Sequence, residues 1–209
     1  MAFPSVDHHS LWRSLTRSVS QILLRLTVRG VENIPLSGGV LLAMNHLGDA
    51  DPLLVFGFTP RPLAIIGKSE ILDWPVLGRL ARLYGMLAVR RGEPDRATLQ
   101  AALQVLESGG ALLIAPEGRE SLSGALESAK GGAAFLAVHS SVPILPIAIS
   151  GTESLYAEWR HFRRPCVTLT FGPAFRLPPG IKRRAAADLI MQPIANLLPP
   201  KYRGVYGEE

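Results

Sequence analysis

Short apolar runs and amphipathic stretches alternate along most of the chain. The apolar runs are often continuous rather than interleaved with polar residues, and they occupy residues 26–31, 40–44, 63–67, 86–89, 111–115, 144–149 and 167–171. Strands that are covered on both faces of a sheet have this pattern, because neither side of the strand meets water. We therefore predict a strand in each of these runs.

Apolar residues at helical spacing lie between most of these predicted strands. The segments are 52–58, 75–84, 95–107, 129–140 and 183–198. Strands that alternate with helices are typical of α/β domains, in which helices cover a mainly parallel sheet. We predict an α/β fold with a largely parallel mixed sheet flanked by helices. In such sheets ligands bind beyond the carboxyl ends of the strands.

Residues 10–26 form a separate amphipathic pattern ahead of the first predicted strand. The apolar positions recur every three or four residues, with Trp12 beside them: Leu11, Leu15, Val19, Ile22 and Leu26. Arg13, Arg17 and Ser20 fall on the other side of the same helix. Two interpretations stay open: the helix packs on the domain, or its apolar stripe lies in the headgroup zone of an anionic membrane.

These patterns divide the chain into three parts. Residues 1–27 hold the N-terminal amphipathic helix, a membrane-associating element in the second interpretation, and residues 28–200 form one folded domain. Residues 201–209 are predicted to be a loose tail. A chain of 209 residues with 47% hydrophobic residues is long enough to bury a substantial core in that single domain.

Charge, hydropathy and cysteine content indicate which partners, membrane relation and compartment the chain suits. The net charge is +5 and the sequence pI about 9.8, so we expect an anionic partner such as phosphate or an acidic membrane surface. Aromatic residues make up only 7% and the arginines are scattered, which argues against a nucleic-acid partner. No apolar stretch is long enough to span a bilayer, yet the mean hydropathy of +0.21 suits a chain that lies on one. The single cysteine, Cys166, excludes an internal disulfide and fits a reducing compartment.

The stretch NHLGDAD, residues 45–51, directly follows the predicted strand 40–44. One interpretation is structural: Asp51 caps a helix that continues at Pro52, and His46 is a polar residue at a strand end. The other is chemical: Asp51 accepts the proton on one ring nitrogen of His46, and the other nitrogen takes a proton from a hydroxyl group. Because no serine or cysteine nucleophile motif is present, that hydroxyl would belong to a substrate.

Polar residues also follow two other predicted strands. Arg90 and Arg91 come after residues 86–89, and Glu117 and Arg119 come after residues 111–115. Arginine holds phosphate through two parallel hydrogen bonds, and a glutamate can bind hydroxyl groups. Each segment by itself is equally consistent with a solvated turn.

Familiar nucleotide and metal motifs are absent from the sequence. The stretch Gly67-Lys68-Ser69 is similar to the end of a phosphate-binding P-loop, but Pro62 occupies the position of that loop's first glycine. No glycine-rich dinucleotide motif is present, and the histidines lack metal-ligand spacing with carboxylates or cysteine.

Four segments in this order resemble the glycerolipid acyltransferases, the lysophosphatidic acid acyltransferase-like superfamily. They are Asn45-His46 with Asp51, residues 85–91, Pro116-Glu117-Gly118 and Val142-Pro143-Ile144-Leu145-Pro146. The resemblance covers roughly residues 28–171. The histidine and the aspartate five residues later form the family's signature, and the ordered set is far more specific than any one segment.

The resemblance implies a role for each segment. His46 would be the general base and Asp51 the carboxylate that orients it. The substrate-binding residues would be Lys68, Arg91, Glu117, Gly118 and Arg119. The resemblance implies neither a metal nor a resident cofactor, because the acyl group would arrive as a thioester on coenzyme A or acyl carrier protein. Residues 28–200 would be the catalytic domain.

The expected function is therefore that of an O-acyltransferase bound peripherally to the cytoplasmic face of the cell membrane. It would acylate the free hydroxyl of a lysophospholipid, 1-acylglycerol 3-phosphate, and release phosphatidic acid. The expected partners are that acceptor, the acyl thioester and the membrane surface, with no nucleic acid.

One segment departs from the family pattern Phe-Pro-Glu-Gly-Thr-Arg-Ser. Ala115 replaces the phenylalanine, Arg119 the threonine and Glu120 the arginine. Two alternatives therefore stay open. In one, the same chemistry acts on a lyso-ornithine lipid or a glycolipid; in the other, the chain is a catalytically silent membrane-binding module.

Overall fold

All the predicted strands are present, and their ends differ from the prediction by one or two residues at most. The structure is a computed structural model that describes residues 6–75, 78, 79, 81, 86–89 and 96–207. The strands are β1 (Arg25–Arg29), β2 (Val40–Met44), β3 (Leu63–Lys68), β4 (Leu87–Val89), β5 (Ala111–Ile114), β6 (Ile144–Ser150) and β7 (Cys166–Phe171).

Most helices follow the predicted segments. The helices are α1 (Val6–Leu23), α2 (Asp51–Phe58), α3 (Arg96–Glu107), α4 (Gly131–Ser140), α5 (Leu155–Arg160) and α6 (Arg183–Leu197). Helix α5 is absent from the prediction, because its single short segment is too brief for a helical period to be recognised. In the predicted helix 75–84, Gly78, Arg79 and Ala81 are helical and Pro75 lies in a turn; the other positions lie outside the described residues.

The strands form one sheet in the order β1-β7-β6-β2-β5-β3-β4. Neighbouring strands are parallel except β6 and β7, which are antiparallel, so the prediction of an α/β fold with a largely parallel mixed sheet is confirmed. The carboxyl ends of β2, β5, β6 and β3 lie at one edge of the sheet, which we call the carboxyl edge. The amino ends of β1 and β7 lie at the same edge, since β7 runs against β6 and β1 is parallel to β7.

Helices bury both faces of this sheet. Along β2, Leu41 and Ala43 face the layer formed by α3, α4 and α6, whereas Leu42 and Met44 face α2. Every residue of β2 is buried, which explains why this strand is apolar at consecutive positions.

Helix α1 packs on α2 through the side that the sequence predicts to be polar. The His9 ring stands edge-on to Phe56 with the ring centroids 4.8 Å apart, and the Arg17 guanidinium lies 5.0 Å from the centroid of the Phe58 ring. The apolar stripe faces outward instead, with exposed side chains at Leu11, Leu15, Val19 and Ile22. The helix therefore packs on the domain, but its apolar side stays uncovered within the described part of the chain.

The helix also ends earlier than predicted. It stops at Leu23, and Leu26 belongs to β1 rather than to the apolar stripe. The predicted boundary between residues 27 and 28 consequently falls inside β1, which pairs with β7 as part of the sheet. No helix in the described ranges combines the length and the apolar character needed to cross a bilayer.

The prediction of a loose tail is wrong for residues 201–207. Tyr202 is buried, and its backbone oxygen accepts the N–H of Leu126 at 2.9 Å. The Leu126 oxygen in turn accepts the N–H of Val205 at 3.2 Å, and the Tyr206 hydroxyl accepts the N–H of Ala129 at 3.3 Å. The two tyrosines hold this segment because an aromatic side chain buries much apolar area while its hydroxyl finds a polar partner.

Candidate active site

His46 and Asp51 meet at the carboxyl edge, in the connection from β2 to α2. His46 Nδ1 lies 2.9 Å from Asp51 Oδ2. The same oxygen accepts the backbone N–H groups of Leu47 at 2.6 Å and Gly48 at 2.9 Å. Because this oxygen serves as an acceptor for two amides, Nδ1 is the donor to it, and Nε2 is the unprotonated nitrogen of the neutral ring. The imidazole is thus arranged to take up a proton at Nε2.

The connection can fold this tightly because Asp51 opens α2 without capping it. Ala50 is the N-cap, and Asp51 and Pro52 are the first helical residues, so the interpretation of Asp51 as an N-cap is wrong. The Asp51 carboxylate turns back onto the loop amides and is completely buried, with 0% of its surface exposed. A β-carbon at Gly48 would lie 3.2 Å from the backbone oxygen of Thr152, so glycine allows the close approach.

Asn45 fixes the strand end from which this connection starts. Its Nδ2 donates to the backbone oxygen of Ile149 at 2.8 Å, and its Oδ1 accepts the Ile149 N–H at 2.7 Å. Both residues are buried. The side chain therefore continues the pairing between β2 and β6 by one step and sets the position of the residue that follows, His46.

Glu117 lies at the same edge, after β5, with only 2% of its surface exposed. Its Oε1 accepts the backbone N–H of His46 at 3.3 Å, and its Oε2 accepts the backbone N–H of Glu127 at 2.8 Å. Burial raises the pKa of Glu117 to about 7, although the two amide donors oppose this effect. The carboxylate thus joins the His46 connection to the segment that follows β5.

Arg119 is held by a carboxylate of its own segment. Its Nη2 and Nε lie 2.7 and 3.2 Å from Glu127 Oε2, while Glu127 Oε1 accepts the N–H of Leu122 at 2.8 Å. The Leu122 amide and the Arg119 guanidinium lower the pKa of Glu127. Gly118 precedes the pair with a φ of +70°, and a β-carbon there would lie 2.9 Å from Lys130 Cδ, so the turn requires glycine.

Lys68 ends β3 at the carboxyl edge, but β5 separates β3 from β2. Adjacent strands are about 4.8 Å apart, so the backbone of Lys68 lies roughly 10 Å to the side of the β2 backbone. Arg91 falls within residues 90–95, which lie outside the described residues. The prediction that Lys68 and Arg91 bind phosphate therefore stays a prediction.

Comparison with known proteins decides the family. The sequence matches the acyltransferase family over residues 25–150. The chain belongs to the acyltransferase family. It is 34% identical over 184 residues to the 1-acyl-sn-glycerol-3-phosphate acyltransferase of Pseudomonas aeruginosa, a match that covers 86% of this chain and 68% of that relative.

Two further proteins are similar to this acyltransferase. The 1-acyl-sn-glycerol-3-phosphate acyltransferase of Borreliella burgdorferi is 27% identical over 137 residues, and the match covers 65% of this chain and 55% of that relative. The match therefore spans little more than half the length of the Borreliella protein. The crystal structure of PlsC, the 1-acyl-sn-glycerophosphate acyltransferase of Thermotoga maritima, matches with a TM-score of 0.73 at 25% identity, over 90% of this chain and 79% of that one.

The sequence of this acyltransferase reveals the His46–Asp51 pair but not the residues that hold it. Asn45 lies in the motif, yet its partner Ile149 is 104 residues away. Glu127 carries no local signal at all. In the structure Glu117 accepts backbone N–H groups and Arg119 pairs with Glu127. The predicted contact of Glu117, Gly118 and Arg119 with an acceptor stays a prediction.

Proposed function

We propose that this acyltransferase moves a fatty acyl group from a thioester, acyl-CoA or acyl carrier protein, to the free hydroxyl of 1-acylglycerol 3-phosphate and releases phosphatidic acid. The observation that carries the proposal is the 2.9 Å contact between His46 Nδ1 and Asp51 Oδ2 at the carboxyl edge. The names of the Pseudomonas, Borreliella and Thermotoga proteins support the choice of acceptor.

The proposed reaction uses His46 first as a base and then as an acid. Nε2 takes the proton of the acceptor hydroxyl while the hydroxyl oxygen attacks the thioester carbonyl carbon. Asp51 accepts the Nδ1 hydrogen bond throughout and stabilises the imidazolium that forms. When the tetrahedral intermediate collapses, the carbon–sulfur bond breaks and the proton on Nε2 passes to the departing sulfur. The acyl group ends as an ester and the donor as a thiol.

A second acceptor class has one observation in its favour. The charge of Arg119 is paired with Glu127 at 2.7 Å, which weakens its attraction for a phosphate group. We therefore keep a phosphate-free acceptor, such as a lyso-ornithine lipid or a glycolipid, as the second candidate. The base chemistry at His46 is the same for both acceptors.

We further propose that the protein works as a peripheral enzyme on the cytoplasmic face of the membrane. The outward stripe of α1 supports lipid contact, since Ile22 is 69% exposed and Leu11, Leu15 and Val19 are exposed beside it. Exposed apolar residues in one helical row are typical of helices that lie in a membrane interface. The single cysteine, Cys166, fits a reducing compartment.

The decisive experiment compares His46→Ala with His139→Ala. His139 is an exposed histidine on α4, so its variant controls for the loss of an imidazole as such. With acyl-CoA and lysophosphatidate, we expect product formation to fall about 10²–10⁴-fold in His46→Ala and to stay unchanged in His139→Ala. Circular dichroism verifies that both variants fold. Full turnover by folded His46→Ala would refute the proposed mechanism.

A mixture of acceptors decides between the two acceptor classes. The purified enzyme receives one acyl thioester together with lysophosphatidate, a lyso-ornithine lipid and a glycolipid, and mass spectrometry identifies the products. We expect phosphatidic acid to dominate. A dominant phosphate-free product would instead support the second candidate.

A further inference from the structure

A short segment at the carboxyl edge carries three exposed aromatic side chains. It comprises residues 155–164, which include α5, and we call it the α5 segment. Phe162 is 100% exposed, and Tyr156 and Trp159 are exposed with their ring centroids 6.1 Å apart. Phe162 also has a φ of +55°, a region that bulky residues rarely adopt. A strained and fully exposed phenylalanine indicates a contact surface rather than a packing role.

The charge of the α5 segment identifies the chemistry of its partner. Arg160, Arg163 and Arg164 are exposed, whereas the one acidic residue of the segment, Glu158, is half-buried. Aromatic rings interleaved with arginines suit a surface of anionic lipid headgroups, where the rings sit at headgroup depth and the guanidinium groups meet phosphates.

Hydrogen bonds hold the α5 segment against the end of α1. Trp159 Nε1 donates to the backbone oxygen of Leu23 at 3.4 Å, and Arg164 Nη2 donates to that of Leu24 at 2.6 Å. A cation on the last carbonyls of a helix is electrostatically favourable. The exposed side chains of Ile22 and Leu23 therefore belong to the end of α1 that the α5 segment contacts.

The α5 segment and the carboxyl-terminal end of α1 lie at the edge of the sheet that holds His46. The α5 segment connects β6 to β7, and the preceding Thr152 has its backbone oxygen 3.2 Å from the position of a β-carbon on Gly48. A bilayer that touches the α5 segment and the carboxyl-terminal end of α1 would lie beside the carboxyl edge. An acceptor lipid would then reach His46 from within the membrane interface.

We propose that the α5 segment is a second membrane-contacting element, which binds anionic phospholipid headgroups through Arg160 and Arg163 and places Phe162 in the headgroup zone. It acts together with α1. The inference rests on the proposed function only in taking the acceptor to be a membrane lipid, since vesicle binding does not require turnover.

The test is sedimentation of the full chain with vesicles of phosphatidylglycerol and phosphatidylcholine. Phe162→Gly removes the ring and suits the positive φ, so this variant is expected to fold. We expect its partition onto the vesicles to fall about tenfold. Leu36→Ser is the matched control, because Leu36 is 74% exposed but precedes β2 at the opposite edge of the sheet. Its partition should equal that of the wild type.

Two further measurements test the contribution of the arginine charges and the depth at which the α5 segment lies in the membrane. Arg160→Ala and Arg163→Ala should each lower partition about fivefold on vesicles that contain phosphatidylglycerol and have little effect on pure phosphatidylcholine. With Trp12 and Trp74 replaced by phenylalanine, bromine-labelled lipid should quench the fluorescence of Trp159.

The inference is overturned if Phe162→Gly binds vesicles like the wild type, or if Leu36→Ser loses as much binding as Phe162→Gly. It is also overturned if Phe162→Gly abolishes a dimer seen by light scattering while leaving vesicle binding intact, since the partner would then be a second copy. The proposed function fails separately. His46→Ala should still bind vesicles, and Phe162→Gly should still turn over an acceptor dispersed in detergent.

Discussion

The His46 connection and helix α1 depart from the usual distribution of polar and apolar residues in opposite directions. In and against the connection, Asn45, Asp51 and Glu117 are polar side chains buried to 2% exposure or less, and each has backbone partners. On α1, leucine, valine and isoleucine side chains point away from the protein, while Arg17 packs on α2. Buried polar groups and exposed apolar rows are the informative exceptions to residue burial.

The two exceptions have different energetic costs. A buried polar group is tolerated when its hydrogen bonds are satisfied, so each residue of the connection depends on particular partners. An exposed apolar row costs little in the isolated protein and becomes favourable only when a second apolar phase covers it. We therefore expect changes in the connection to affect folding and catalysis, and changes on the outward face of α1 to affect membrane binding alone.

The largest expected effect comes from Asp51→Asn. The asparagine oxygen can accept from the ring and from both backbone N–H groups only if the new NH₂ group is left buried. The neutral side chain also no longer favours the tautomer with Nδ1 protonated. We expect kcat to fall on the order of 10³–10⁴-fold in steady-state acyl-transfer assays. Asp188→Asn, an exposed change on α6, is the control and should leave kcat unchanged. An active Asp51→Asn enzyme would contradict the assigned role of the carboxylate.

The next largest effect should follow Asn45→Ala. Truncation leaves the buried N–H and carbonyl of Ile149 without the asparagine, at about 1–3 kcal/mol for each group. We expect the free energy of unfolding, measured in urea, to fall by about 2–6 kcal/mol. Asn33→Ala removes one hydrogen bond to the Phe171 oxygen away from the site and should cost about 1 kcal/mol. Equal losses for the two variants would show that the Asn45 contact has no special importance.

Glu117 should make stability depend on pH. Its pKa is about 7 in the folded protein and 4.5 as the ordinary value, so the folded state holds the proton more tightly. Its contribution is therefore greatest below pH 4.5, declines as the pH rises through about 7, and is smaller by roughly 3 kcal/mol above that. Urea unfolding of the wild type and Glu117→Gln at about pH 5 and about pH 8 measures the difference. The advantage of the wild type should shrink at the higher pH; an advantage that stays constant would rule out this titration.

The smallest effect on folding is expected for Leu15→Ser on the outward face of α1. Because Leu15 is exposed in the isolated protein, the free energy of unfolding should change by less than about 0.5 kcal/mol. Partition onto anionic vesicles should nevertheless fall several-fold. Leu54→Ala, a buried change on α2, is the contrasting variant and should cost about 2–5 kcal/mol. Substantial destabilisation by Leu15→Ser would mean that the stripe packs on the protein.

Local patterns were sufficient for the strands and for the central pair of the site. A continuous apolar run such as Val40–Met44 reports burial on both faces, and the turn that follows β2 brings His46 and Asp51 within reach of each other. Both features depend on residues that are neighbours in sequence. The order of the sheet, the burial of Glu117 and its contact with the His46 amide, 71 residues away, depend on which connections meet at the carboxyl edge.

Helix α1 shows most clearly where local information ends. The periodicity of residues 10–26 shows that the helix has two unlike sides, but it does not say which side meets the protein. The surface of α2 decides which side packs. Its residues Phe56, Gly57 and Phe58 contact His9, Thr16 and Arg17 of α1. The sequence pattern of a helix shows only that its two sides differ. Which side packs on the protein depends on the free energy of contact with the neighbouring surface, and residues far away in the sequence form that surface.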